Sequence, residues 1–214
     1  MQTYSRGLTS SKSLLIVIVA ITALAVGVYL SPNERGAPFD PNDFNGTILS
    51  QPRAISQFDL VNDENQPFTN DNLKGKWTMM FFGFTHCPHI CPMTMTHLKE
   101  TYEQLQQTNA QALPQVVLVS VDPERDTVER MHTYVKSFNP SFIGATGEAD
   151  AIAAMTKEIG VAYIKLSDPN GSDDYDIEHT GAIMLFNPDG NLAGFFTTPH
   201  EPEKIAADFK KLIA

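Results

Sequence analysis

The segment "WTMMFFGFTHCPHICPM", residues 77–93, joins an uninterrupted apolar run to a short loop that holds both cysteines of the chain, Cys87 and Cys91. Residues 77–84 are short and apolar almost throughout, the pattern of a central strand covered on both faces. Beyond the loop, Met95, Leu98, Tyr102 and Leu105 recur at intervals of three and four, which predicts an amphipathic helix from 92 to about 107. Strand, cysteine loop and helix form the unit around which the other segments are arranged.

Downstream, "VVLVSV" at 116–121 predicts a second buried strand, and Asp126 a cap for a helix carrying Val128, Met131, Val135 and Phe138 on one face. "SFIGATG" at 141–147 predicts a short strand followed by a helix over 148–159. "GAIMLFNPDGNLAGFF" predicts a hairpin with strands at 181–186 and 192–196 around the turn "NPDG". "EPEKIAADFKKLIA" follows as a helix that turns Ile205, Phe209 and Leu212 inward. Upstream, "FDLVNDENQPFT" reads as a hairpin around Asn62–Pro67. Strands alternating with helices predict an α/β domain over 51–214, with a mixed central sheet and a thioredoxin-like architecture.

A chain of 214 residues can bury a core without disulfides, so two cysteines are not a scaffold. Its 15 basic and 25 acidic side chains leave a formal charge of -10, which argues against a nucleic-acid partner.

Residues 14–30, "LLIVIVAITALAVGVYL", carry no charge, and at ~1.5 Å per residue they reach roughly 26 Å, the short end of a bilayer span. Arg6 and Lys12 precede the run, while Glu34 and Arg35 nearly cancel after it. The positive-inside bias therefore puts residues 1–13 in the cytoplasm and the domain outside. A cleaved signal peptide ending near "ALA" at 23–25 is the alternative, but the apolar run continues past it to Leu30. Residues 31–50 are rich in Pro, Asn and Gly, as expected of a tether.

Export matters for the cysteines, because nearby thiols outside the cytoplasm become a disulfide unless a reductant or a metal prevents it. Pro88 and Pro92 predict extended backbone at Cys87 and Cys91, with Pro92 opening the helix and Cys91 capping it. A sulfur at a helix start is favoured as thiolate. Three intervening residues make a wider loop than the C-x-x-C of dithiol oxidoreductases, and it suits two sulfurs on one ion. Metal ligands, a redox dithiol and a structural disulfide all fit the pair. Of the six histidines, His86 and His89 lie in the loop, while His97, His132 and His200 read as surface residues. His179 precedes the strand "GAIMLF", at a sheet end that faces the cysteine loop in a thioredoxin-like fold.

"GFTHCPHICP" at 83–92, "SVDPERDT" at 120–127 and "DYDIEHTGAIMLFNPDG" at 174–190 occur in an order and spacing that strongly resembles the Sco/SenC family of membrane-tethered copper proteins involved in cytochrome c oxidase assembly. The resemblance implies one copper ion, Cu(I) or Cu(II), held by Cys87, Cys91 and His179. It implies a copper metallochaperone for the binuclear copper centre of oxidase subunit II, single-pass in a bacterial cytoplasmic membrane with its domain in the periplasm. Further partners implied are a thiol reductant and other copper carriers. A thiol-disulfide oxidoreductase using the Cys87 and Cys91 pair, and a copper-dependent redox sensor, are the alternatives. His89 stands where the family commonly has an acidic residue, which opens a tuning or donor role for it. Asp122 is a candidate for supporting the ligands or docking a partner, or is a turn residue of "DPERD". The acidic run Asp168, Asp173, Asp174, Asp176 and Glu178 suggests a docking surface leading into His179.

Overall fold

All six residues of strand β4 (Thr78–Gly83) are buried, because the strand lies in the interior of an eight-stranded sheet and is covered on both faces. The structure is a computed structural model that describes residues 16–22, 40–108, 113–166 and 175–213. It divides into two compact units, Met1–Phe39 and Asp40–Ala214.

In the first unit, residues 16–22 form a helical segment (α1) with Ile16, Val17, Ile18, Val19 and Ile21 exposed. The remaining positions of the expected span over 14–30 lie outside the described residues. Among the described residues no helix is long and apolar enough to cross a membrane.

The second unit carries strands β1 (Thr47–Arg53), β2 (Asp59–Asn62), β3 (Pro67–Thr69), β4, β5 (Gln115–Ser120) and β6 (Ile143–Thr146). These are followed by β7 (Tyr163–Leu166), β8 (Asp176–His179), β9 (Ile183–Phe186) and β10 (Leu192–Phe196). Its helices are α2 (Ile90–Gln107), α3 (Val128–Phe138), α4 (Ala149–Ile159) and α5 (Pro202–Ile213). The main sheet runs β1-β10-β9-β4-β5-β6-β2-β3, with β4, β5 and β6 parallel and the other neighbours antiparallel. The parallel strands are linked through α2 and α3, as crossovers between parallel neighbours require. This is the expected mixed sheet of a thioredoxin-like domain. A separate two-stranded ribbon pairs β7 with β8.

The core joins Phe81, Phe82, Met79 and Met80 of β4 to Leu118 and Val119 of β5, Leu98 of α2 and Phe209 of α5. The hairpins at Asn62–Pro67 and "NPDG" form as expected, and Gly190 takes φ 78 in the second turn. Of the three residues expected inward on α5, Ile205 and Phe209 are buried, and Leu212 is half-buried.

Four expectations need correction. Strand β1 begins at Thr47, inside the expected tether, where Thr47 and Ile48 pair with Phe195 and Gly194. Only Ile48 is buried in this edge strand, so no period marks it in the sequence. Helix α2 begins at Ile90, so Cys91 is inside it; proline is tolerated anywhere in the first turn, where its missing N–H has no helical acceptor. Thr127, not Asp126, caps α3, accepting a hydrogen bond from the Arg130 N–H. His200, expected at the surface, is buried, and its Nε2 lies 2.8 Å from the Gly181 carbonyl. Burial lowers its pKa. His132 is exposed as expected but also lies 3.0 Å from the buried Asp63 carboxylate.

Candidate metal centre

Strand β4 ends at Gly83, and the chain turns through Phe84–Cys87, where the Cys87 N–H donates to the Phe84 carbonyl at 3.4 Å. Gly83 is required by close approach: a Cβ there would lie 2.8 Å from the Cys91 sulfur and 2.9 Å from the Phe81 ring. The missing side chain leaves the space that the sulfur fills.

Asp126 holds this turn in place. Fully buried, it accepts hydrogen bonds from the Thr85 N–H at 3.0 Å, the Ser120 hydroxyl at 2.7 Å and the Thr85 hydroxyl. Three donors compensate the removal of its carboxylate from water. His86 lies 3.8 Å from the same carboxylate and groups with Asp122 and Asp126 rather than with the two cysteines and His179.

The Cys91 N–H, near the start of α2, points at the Cys87 sulfur at 3.4 Å. Cys87 thus supplies the sulfur that faces a first-turn N–H, the role that the sequence assigned to Cys91, while His89 holds the cap position. Donation from the Cys91 thiol is the main cause that brings the Cys87 pKa down to about 3; burial opposes it, and His179 and the N–H groups of Cys91 and His89 add to it. The same pairing, with burial, pushes the Cys91 thiol up. One thiolate and one thiol share the proton between them.

His179 ends β8, and its Nε2 lies 3.3 Å from the Cys91 sulfur. Its Nδ1 lies 3.2 Å from the Thr180 carbonyl; in the tautomer protonated at Nδ1 that carbonyl accepts the proton and Nε2 offers its lone pair to a metal, whereas the tautomer protonated at Nε2 donates to the sulfurs. Phe81 and Phe84 meet the imidazole edge-on, with centroids at 5.7 and 5.9 Å. One donor atom from each of Cys87, Cys91 and His179 falls within 4.8 Å of the others. The set, two sulfurs and an imidazole brought within reach of one ion, fits a soft metal in a low-coordinate site. Cys91 is buried, while Cys87 and His179 are half-buried, so the opening lies on their side.

The other candidates fall elsewhere. His89 is exposed, caps α2 without a side-chain hydrogen bond, and is not in the donor cluster. Its backbone, not its imidazole, reaches Cys87. Asp122 is 2% exposed and committed to Arg125 and to the Tyr175 hydroxyl at 2.6 Å, so it is not a free docking group. Asp176 and Glu178 are exposed on β8, whereas Asp168, Asp173 and Asp174 lie outside the described residues. Gly83, Phe84 and Tyr175 are site residues that no sequence signal singled out, and Asp126, expected as a helix cap, holds the cysteine turn instead. The alternation of Asp176, Ile177 and Glu178 is the signal that reveals β8, and with it Tyr175 immediately before the strand.

The SCO1/SenC family model matches residues 46–214. A Stutzerimonas stutzeri protein named for copper binding is 36% identical over 191 residues, covering 89% of each chain. The mitochondrial SCO1 homolog 1 of Arabidopsis thaliana is 36% identical over 149 residues, 69% of this chain and 43% of the relative. The structure of Bradyrhizobium japonicum ScoI with copper bound is similar at a TM-score of 0.66 and 34% identity, covering 74% of this chain and 99% of that one. The chain belongs to the SCO1/SenC family.

Proposed function

We propose that the chain is a copper metallochaperone that holds one copper ion on Cys87, Cys91 and His179 and delivers it to the binuclear copper centre of cytochrome c oxidase subunit II. In this reading residues 14–30 anchor it in a bacterial cytoplasmic membrane, with the domain in the periplasm. The observation that carries the reading is the 3.3 Å approach of His179 Nε2 to the Cys91 sulfur, with Cys87 in the same cluster. Copper supplies a soft cation that is the cargo of the site rather than a resident catalyst.

Cys87, half-buried and with its pKa lowered by the Cys91 thiol, receives the cargo first. Cys91 then gives up its proton and closes the site from the buried side, and the His179 Nε2 lone pair completes it. Delivery begins from the open side, a partner's donors displacing His179 and Cys87, the half-buried ligands, before the buried Cys91 sulfur. The test is titration of the reduced full chain with Cu(I), then mixing with apo subunit II. One equivalent bound, followed by transfer with both thiols still reduced, supports the reading; no binding, or no transfer, sinks it.

A thiol-disulfide oxidoreductase is the second reading, favoured by the opposite titration of an accessible Cys87 and a buried Cys91. Cys87 would attack a target disulfide, and Cys91, losing its proton, would release the reduced target as the Cys87–Cys91 disulfide forms. An external thiol reductant would restore the pair. Oxidation of both thiols with reduction of subunit II and no copper movement selects this reading over the first.

A further inference from the structure

We infer that Arg125, Tyr175 and Asp122 form a latch that positions His179 over the two sulfurs; the inference rests on the copper reading above. His179 is carried by the β7–β8 ribbon, which has no strand pairing with the eight-stranded sheet. Its nearest backbone ties are Thr180 N–H to the Ala162 carbonyl at 2.8 Å and Ala162 N–H to the Thr180 hydroxyl at 3.0 Å, both beside β7, and the Gly181 carbonyl lies 2.8 Å from His200 Nε2. Side chains complete the seating: Ile177, two residues before His179, is buried in the core, and further side chains grip the ribbon.

They do so at its other end. Asp122 follows β5, and its carboxylate accepts the Tyr175 hydroxyl at 2.6 Å and the Arg125 Nε–H. The Arg125 Nη1–H donates to the Tyr175 carbonyl at 2.9 Å, and the guanidinium lies 3.6 Å from the centre of the Tyr175 ring. Lys165 of β7 also meets that ring, at 3.7 Å, and pairs with Glu124 of the same turn at 2.8 Å. Arg125 further rests 5.8 Å from the Phe84 ring, which is itself packed edge-on against His179. The buried charge of Asp122 is thus compensated by the half-buried Arg125, and the two grip Tyr175, four residues before the imidazole. Removing a grip on the ribbon frees His179 without touching either cysteine.

Arg125 and Tyr175 are positioning residues: neither is in the donor cluster. The experiment measures Cu(I) affinity of the reduced full chain by competition with a chromophoric chelator, as a double-mutant cycle. Tyr175→Phe keeps the ring and deletes the hydroxyl; Arg125→Lys keeps the charge and loses the planar contacts. With His179 present, each is expected to weaken binding by about 10–100-fold, the range for groups that orient a ligand. In a His179→Ala background each is expected to change it by less than about twofold, because the ligand they position is gone. Added imidazole is expected to restore affinity both to the latch variants and to His179→Ala. Equal losses in both backgrounds, or no loss from either variant in a chain with unchanged near-ultraviolet circular dichroism, overturns the latch. If His179→Ala alone leaves affinity unchanged, the copper reading fails and the latch with it.

Discussion

The N–H of Cys91 points at the sulfur of Cys87 across 3.4 Å, so the thiolate at the start of α2 belongs to the cysteine outside the helix. The second cysteine, one residue into the first turn, donates both its N–H and its thiol toward the first. A C-x-x-x-C loop that looks symmetric in sequence is chemically polarised.

That polarity is measurable by alkylation. With its pKa near about 3, Cys87 is expected to react with iodoacetamide at a nearly constant rate between about pH 5 and about pH 8, whereas an ordinary thiol with a pKa of about 8.5 slows roughly tenfold per pH unit. Cys91, buried and raised, is expected to stay unlabelled until the chain unfolds. Mass spectrometry of quenched samples checks both. Cys91 labelling ahead of Cys87 would reverse the assignment.

The same proton count governs metal uptake. Above about pH 3 Cys87 is already charged, and closing the site still displaces the Cys91 proton. Between about pH 7 and about pH 9 the Cu(I) affinity, corrected for the competing chelator, is expected to rise roughly tenfold per pH unit. A flat profile would mean that the Cys91 proton is not displaced.

Gly83→Ala places a methyl group 2.8 Å from the Cys91 sulfur and 2.9 Å from Phe81. Overpacking of this kind costs about 1–3 kcal/mol, and here it also displaces a proposed ligand. Thermal unfolding and Cu(I) affinity are expected to fall together. Normal affinity in the variant would show that the sulfur has room to give.

Asp126→Ala strands the Ser120 and Thr85 hydroxyls and the Thr85 N–H. Leaving buried donors unsatisfied costs about 1–3 kcal/mol, and denaturant unfolding is expected to report at least that. The loss is expected without Cu(I) as well as with it, since Asp126 holds the turn rather than the ion. A variant as stable as the parent would remove Asp126 from the account.

How much of this was legible in sequence follows from where each residue's neighbours lie. The unbroken apolar run of β4 and the three-four spacing of Met95, Leu98 and Leu105 state their own burial, and the structure places all of them in the core. β1 was not legible, because an edge strand with one buried side chain has no period and tolerates Pro52. The choice between Asp126 and Thr127 as cap could not be made locally: either side chain serves, and Asp126 is claimed by Thr85 from 41 positions away. The approach of His179 to the cysteines was expected from the fold. The ribbon that delivers it, and the Asp122, Arg125 and Tyr175 contacts that seat the ribbon, depend on pairings up to 53 positions apart that no local pattern records.

The central claim, that Cys87, Cys91 and His179 together hold one copper ion, is tested most directly by X-ray absorption on the Cu(I)-loaded full chain and its His179→Ala variant. The account predicts one copper with two sulfur neighbours and one nitrogen, the nitrogen alone disappearing in the variant. An unchanged copper environment in His179→Ala, or a parent site with fewer than two sulfurs, would contradict it.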